Sequence, residues 1–527
     1  MNSRTVVLIL LSLVGIPMLI MIGQWSATDP LMAGLATMGV VMAVAILMLG
    51  RFLWMLIPLF FYFEGSINVL PGGLAPRQLV ISFVVPILCL HWVARRFPLK
   101  PRFGALELAL LAQFLMLGQA YLRNPVGFAA FGTEIVGGRP YFELGFALIL
   151  FVVIGWQVVD SRKVRQAMWM SFIGGLLMAC YEAVTGLFPQ TAMRMARYYQ
   201  GVTTTTAIRG YLSQSTYGAA LDQGVQRLTG LKFLPGSLFP MLFARFSPLE
   251  MLKLGNLWAV LVAVIALVAA LLSGFRSQIV WIALIAFAAM LVRRRGYEVM
   301  VFGLIAVPVL AILLIGQGTL FELPFAAQRA LSFLPADWDE AALRSAEGTL
   351  EWRFEMWEQA LKSERYIENK MLGDGYGFSL DELAYQQQLQ LENYRSDVLQ
   401  EYYLMTGQYH SGPIETIRRV GYVGLLVLTA GFVVVFNETR RVINRTRGSD
   451  YYMPALFIGL PMLIFPFFFW LIYGEFQSAV TQMCFASGFL RLIDNSMEAY
   501  PVRVEVRKDE LAPTTGGIRP NRLPQPA

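Results

Sequence analysis

His410, one of only two histidines in the chain, stands in GQYHSGPIETIRRVGYVG, Gly407 to Gly424, just ahead of a long apolar run. An imidazole near its ordinary pKa of ~6.5 can take up or steer a proton at neutral pH. Read alone, it is equally a polar residue at a helix start.

Arginines form the second group. Arg276 stands in LLSGFRSQIVW, at an abrupt Ser-Gly break between two apolar runs. Arg227, Arg353 and Arg139 lie in GVQRLTGLKFLPG, EGTLEWRFEMWEQALKS and VGGRPYF. A guanidinium fork fits two phosphate oxygens at once, so several together would suit an anion with more than one charge. Singly, each could snorkel to lipid phosphates or pair on a surface. Gly373, Gly375 and Gly377 alternate in MLGDGYGF, a turn that lets backbone approach something closely. It follows no strand and opens no P-loop pattern, so a structural turn is the simpler reading. Asp337 and Asp339 flank Trp338. Asp337 with Glu340 reads as a helix start rather than a metal site, because no further hard ligands stand nearby.

These residues must be held by a membrane protein. A chain of 527 residues that is 56% hydrophobic and 15% charged, with mean hydropathy +0.56, cannot cover a soluble surface. Apolar runs begin near Thr5, Leu31, Phe52, Gln78, Ala105, Tyr141, Val164, Lys232, Leu254, Gln278, Val299, Val420, Tyr452 and Phe476. The pattern predicts an all-α, polytopic transmembrane helical bundle of about fourteen spans across ~30 Å of hydrocarbon, with a retained first span. The spans at Phe52 and Lys232 are short. Basic clusters at Arg95 to Arg102, Arg162 to Arg165, Arg293 to Arg295 and Arg440 to Arg447 all fall on one side if both ends are cytoplasmic. His91 is then at a cytoplasmic end, and Arg276 is at an outer end, where orientation does not require a cation.

Residues 1–316 are thus expected to hold helices one to eleven, 317–419 one large periplasmic loop, 420–492 the last three spans, and 493–527 a disordered cytoplasmic tail. The loop, Gln317 to Arg419, has 17 Asp and Glu against 9 Lys and Arg, a net −8, and the rest of the chain carries +15. Its periodicity predicts two amphipathic helices, one burying Leu350, Phe354, Trp357 and Leu361, the other Leu391, Tyr394, Val398 and Tyr402. Cys89, Cys180 and Cys484 fall inside apolar runs and imply no disulfide framework.

In order and membrane placement these elements resemble the O-antigen ligase and O-antigen polymerase superfamily of bacterial envelope proteins. The shared features are S-G-x-R-S at the outer turn (Ser273 to Ser277), a large loop with R-x3-W (Arg353, Trp357) and G-x-G-x-G (Gly373 to Gly377), a His, and R-x-G-x-x-G (Arg419 to Gly424). The resemblance covers roughly Gln226 to Val435; after the His, Ser411, Gly412 and Pro413 depart from the family's usual polar-then-aromatic pattern. It implies a multi-pass inner-membrane enzyme that moves a glycan, with inversion and without metal or other cofactor, from a polyprenyl pyrophosphate donor to an acceptor sugar hydroxyl on a glycan or lipid A-core. His410 and Arg276 would be catalytic; Arg227, Arg353, Arg139, Gly373 and Gly375 would bind substrate. Partners would be donor, acceptor and membrane lipids, with no nucleic acid. A lipid-linked glycan flippase or an envelope scaffold would share the spans, but transport predicts helices broken in matching halves, and the sequence has no such pair.

Overall fold

The computed structural model describes residues 50–68, 73–93, 99–125, 137–204, 228–377 and 396–501, with a few single positions besides. The runs near Thr5 and Leu31, Arg227, Leu391, Tyr394 and the tail beyond residue 501 lie outside the described residues.

What is described is mostly helical, with one two-stranded antiparallel sheet pairing β1 (Ser66–Ile67) with β2 (Tyr199–Gln200). The principal helices are α1 (Pro76–Val93), α2 (Ala105–Arg123), α3 (Arg139–Gly155), α4 (Ser161–Leu187), α5 (Phe233–Arg245), α6 (Leu257–Leu272) and α7 (Arg276–Val292). There follow α8 (Gly296–Gly316), α9 (Phe325–Leu331), α10 (Glu340–Lys362), α11 (Ser396–Thr406), α12 (Gly412–Thr446), α13 (Tyr452–Leu471) and α14 (Phe476–Ala499).

Six helices among the described residues are long and apolar enough to cross a membrane: Ala105–Arg123, Ser161–Leu187, Leu254–Leu272, Gly296–Gly316, Gly412–Thr446 and Tyr452–Leu471. Each coincides with an expected span. Three of the remaining runs differ for identifiable reasons. At Phe52 the chain forms a 3-10 helix, Gly50–Met55, and then five α-helical residues, Leu56–Phe60. At Lys232 the helix is α5, whose 13 residues reach only ~20 Å at 1.5 Å each. The helix at Phe476 is long, but it carries Arg491, Asp494 and Asn495, all buried.

Small residues set the packing. Gly488 on α14 lies against Phe151 and Ile154 of α3, and Gly155 of α3 lies against Arg491, so these two helices approach closely. Helix α12 packs on α2 and α13, with Gly459 facing Ile443 and Thr439. At one end of the bundle the buried carboxylate of Asp494 takes Arg102 at 2.9 Å, Arg441 at 3.1 Å and Arg445 at 2.5 Å. There too Arg447 donates to the Val292 carbonyl at 2.6 Å. Members of separate basic clusters therefore meet at one end, the end opposite Arg276 on α7.

The Asp-Trp-Asp stretch caps a helix two residues later than expected. Asp339, not Asp337, is the N-cap of α10 and accepts from the Ala341 amide at 2.7 Å. On α10 the buried face is also rotated from the predicted one. Met356 and Ala360 are buried, with Trp352, Trp357 and Leu361 packed beside them, whereas Phe354 is 56% exposed. The reason is the partner surface: Leu404, Met405, Tyr409, Ile414 and Ile417 approach from α11, α12 and the turn between them and select the Trp352–Met356–Ala360 row.

Candidate functional site

The Ser-Gly break between α6 and α7 is tightly built. Ser273 donates to the Ala270 carbonyl at 2.6 Å, and Gly274 adopts φ +71°, which a residue with a Cβ rarely adopts. Arg329 from α9 donates to the Gly274 carbonyl at 2.9 Å and fixes the turn. Arg276 is thereby placed as the first residue of α7. A cation there opposes the positive end of the helix dipole, so an anion in front of it would be attracted by both.

Arg353, on the loop helix α10, lies within the electrostatic field of Arg276. Burial holds its guanidinium below the ordinary value, Arg276 presses it the same way, and Tyr473 opposes them. Its Nε is buried without a hydrogen-bond partner among the described residues. Two arginines 77 positions apart in sequence thus share one electrostatic neighbourhood.

His410 sits in the turn between α11 and α12, with φ +53°. The turn is pinned on both sides. Trp357 of α10 donates its indole N–H to the Tyr409 carbonyl at 2.6 Å, and Gly407, at φ +77°, lies where a Cβ would meet the Arg418 side chain at 2.7 Å. Three rings surround the imidazole: Tyr403 at 4.9 Å between centroids, Tyr473 at 5.9 Å and Trp352 at 6.4 Å. This enclosure, with the Arg353 and Lys232 cations nearby, lowers the His410 pKa to about 4. The near-neutral value expected from sequence is therefore corrected: His410 is uncharged throughout the physiological range.

The glycine turn answers a different need. Asp374 and Gly375 donate their amides to the Arg418 and Arg419 carbonyls at 2.6 and 3.1 Å, and the amides of Tyr422 and Val423 return to Lys370 and Met371 at 2.8 and 3.2 Å. The turn lies against the bend of α12 at Gly421, where φ is +74° and the helix is interrupted. Arg419, 1% exposed, donates to Gly375 and Thr406 carbonyls at 3.2 and 2.9 Å. A Cβ at Gly373 would meet the Val420 nitrogen at 2.4 Å, and one at Gly375 the Tyr141 hydroxyl at 2.2 Å. The close approach these glycines permit is to the chain's own backbone and side chains, and it braces the segment that follows His410.

Residues 261–429 match the family model described as O-antigen ligase. Over these residues the chain is similar to O-antigen ligases. A search of curated proteins finds no match. The matched segment of the O-antigen ligase model contains Arg276, Arg353, Gly373, Gly375, His410 and Arg419. With the membrane-length helices the match supports a multi-pass membrane protein that is similar over this segment to O-antigen ligases.

Arg139 lies outside that segment and in other company. It is 5% exposed, pairs with Glu143 at 2.9 Å and donates to the Gly65 carbonyl at 3.2 Å. Glu143 also accepts from Gln477 at 2.6 Å and pairs with Arg77 at 3.4 Å, and Arg77 pairs with Glu64 at 3.0 Å. Arg139 thus ties α3 to α1 and α14 in a buried network. The surroundings of the matched segment also supply residues that sequence reasoning passed over. Tyr473 stacks on His410 and donates its hydroxyl hydrogen to Glu475, the N-cap of α14. The available signal was an aromatic and a lone carboxylate in the short connection between two apolar runs.

Proposed function

We propose that this O-antigen ligase-type protein transfers a glycan from a polyprenyl pyrophosphate donor to an acceptor sugar hydroxyl, with inversion, at the periplasmic face of the inner membrane. The observation that supports it is the convergence of Arg276, Arg353 and His410 from three separate stretches, Arg353 lying within the fields of both others. In the step, the acceptor oxygen forms a bond to the sugar C1 while the bond from C1 to the phosphate oxygen breaks on the opposite face. The electron pair leaves with the pyrophosphate, whose growing charge Arg276 and Arg353 stabilise. The hydroxyl proton passes to the neutral imidazole of His410 and on to water. Arg227 would join the cations. Gly373 and Gly375 would serve by holding the Gly421 bend, and Arg139 by holding α3 against α14.

Ligase and polymerase chemistry share this donor and differ in the acceptor. Purified protein incubated with a lipid-linked repeat and either lipid A-core or a second repeat unit tests the proposal: glycan should appear on one acceptor with release of free polyprenyl pyrophosphate. Hydrolysis alone, or no product on either, would contradict it.

A further inference from the structure

Lys232 ends the short 3-10 turn Thr229–Lys232, ahead of the matched ligase segment. Its ammonium stands 5.0 Å from the Phe233 ring and 5.4 Å from the ring of Phe275, the residue immediately before Arg276. Among the described residues it has no hydrogen-bond or ion-pair partner. It is half-buried, and its charge interacts with His410, Glu475, Glu182 and Glu64.

Those carboxylates are already engaged elsewhere. Glu182, fully buried, accepts from the Val202 and Thr203 amides at 2.7 and 3.0 Å and from the Thr203 hydroxyl. Glu64 pairs with Arg77 at 3.0 Å, and Glu475 accepts from Tyr473 and, at 3.3 Å, from Ser478. A half-buried ammonium with no contact partner among the described residues gains only ~0.5–2 kcal/mol from two aromatic faces, so it stays available to an anion. An anion held in front of Arg276, the residue after Phe275, would supply the partner that this ammonium lacks.

We infer that Lys232 is a binding residue for the phosphate portion of the substrate, its ammonium reaching an oxygen of a pyrophosphate that Arg276 and Arg353 hold from the other side. The inference rests on the proposed transfer reading and deepens it. The three cations have different parts: the arginine forks fix orientation, whereas the lysine is a compact point charge that follows the oxygen gaining charge. The Lys232 charge also reaches His410, so a phosphate held by Lys232 would lie within electrostatic reach of the group that handles the acceptor proton.

The test is binding of inorganic pyrophosphate to the full-length protein in lipid discs, by calorimetry and by ligand-induced rise in Tm. Lys232→Met keeps the length and removes the charge. It should weaken binding by about tenfold or more, the usual consequence of losing a charge-assisted hydrogen bond, and Lys232→Arg should retain most of it. If Lys232 merely neutralises its acidic neighbours, the double variant Lys232→Met, Glu475→Gln will bind pyrophosphate as wild type does, which overturns the inference. So does a folded Lys232→Met protein with unchanged affinity while Arg276→Ala has lost it, a result that leaves the transfer reading intact. Wild-type protein that fails to bind pyrophosphate overturns both.

Discussion

Tyr473 lays its ring over His410, 5.9 Å between centroids and 29° from parallel, and hands its hydroxyl hydrogen to Glu475. The connection between α13 and α14 therefore closes one side of the imidazole, while the loop helices close the others through Trp352 and Tyr403. Enclosure raises the Tyr473 hydroxyl well above its ordinary value, with Glu475 acting in the same direction, so this ring stays protonated and donates.

The same enclosure sets a pH dependence. Above ~6.5 His410 is neutral whether the chain is folded or unfolded, and it contributes no slope. Between 6.5 and about 4 the unfolded chain binds a proton that the folded chain refuses, so stability falls as pH falls through that window. Thermal unfolding in lipid discs should show this loss in wild type and a flatter slope in His410→Gln. The transfer rate should likewise pass through pH 6.5 without a break and decline only toward 4. A sharp rate loss centred at 6.5 would assign the titration to another group.

Arg276→Ala should abolish transfer at normal membrane levels, and Arg276→Lys should retain little. Lysine keeps the charge but loses the bidentate fork, so the loss should follow geometry. Full turnover in the lysine variant would reduce Arg276 to a source of general positive potential.

Gly373→Ala should destabilise the protein, with reduced expression and a lower Tm. Its φ of +76° alone costs a residue with a Cβ ~1–2 kcal/mol, and the added carbon would also meet the Val420 nitrogen at 2.4 Å. An alanine variant with unchanged Tm would show that the turn can move off the Gly421 bend.

The membrane-length helices were legible in the sequence because each span needs its own stretch of uninterrupted apolar residues. Arg276, Arg353 and His410 stand out in the sequence because their types are unusual for their places. The role of the glycine turn was only half legible: that backbone comes close was plain, but its partner, Gly421, is named by long-range pairing that periodicity does not encode. The rotated face of α10 has the same origin, since the row selected depends on Tyr409 and Ile414, which periodicity within α10 cannot reveal. Lys232 and Tyr473 were missed because each sits at the end of an apolar run, where a lysine or tyrosine is ordinary.

Orientation is open to direct labelling. Cysteines substituted for Asp337, Asp381 and Glu401 should react with a membrane-impermeant reagent from outside, and those at Lys100, Arg294, Arg445 and Lys508 should not. Lys100 and Arg445 both pair with Glu498 at one end of the bundle, so opposite labelling of these two would contradict the fold itself.

The central claim is that Arg276 and His410 act in one transfer step with separable roles. The most direct measurement is acceptor-dependent release of free polyprenyl pyrophosphate by purified protein, alongside donor binding, for wild type, Arg276→Ala, His410→Ala and His410→Gln. Arg276→Ala should release none and bind donor weakly. His410→Ala should bind donor normally and transfer ~10² to 10⁴ fold more slowly, with His410→Gln no better. Transfer by His410→Gln at the wild-type rate would contradict the account.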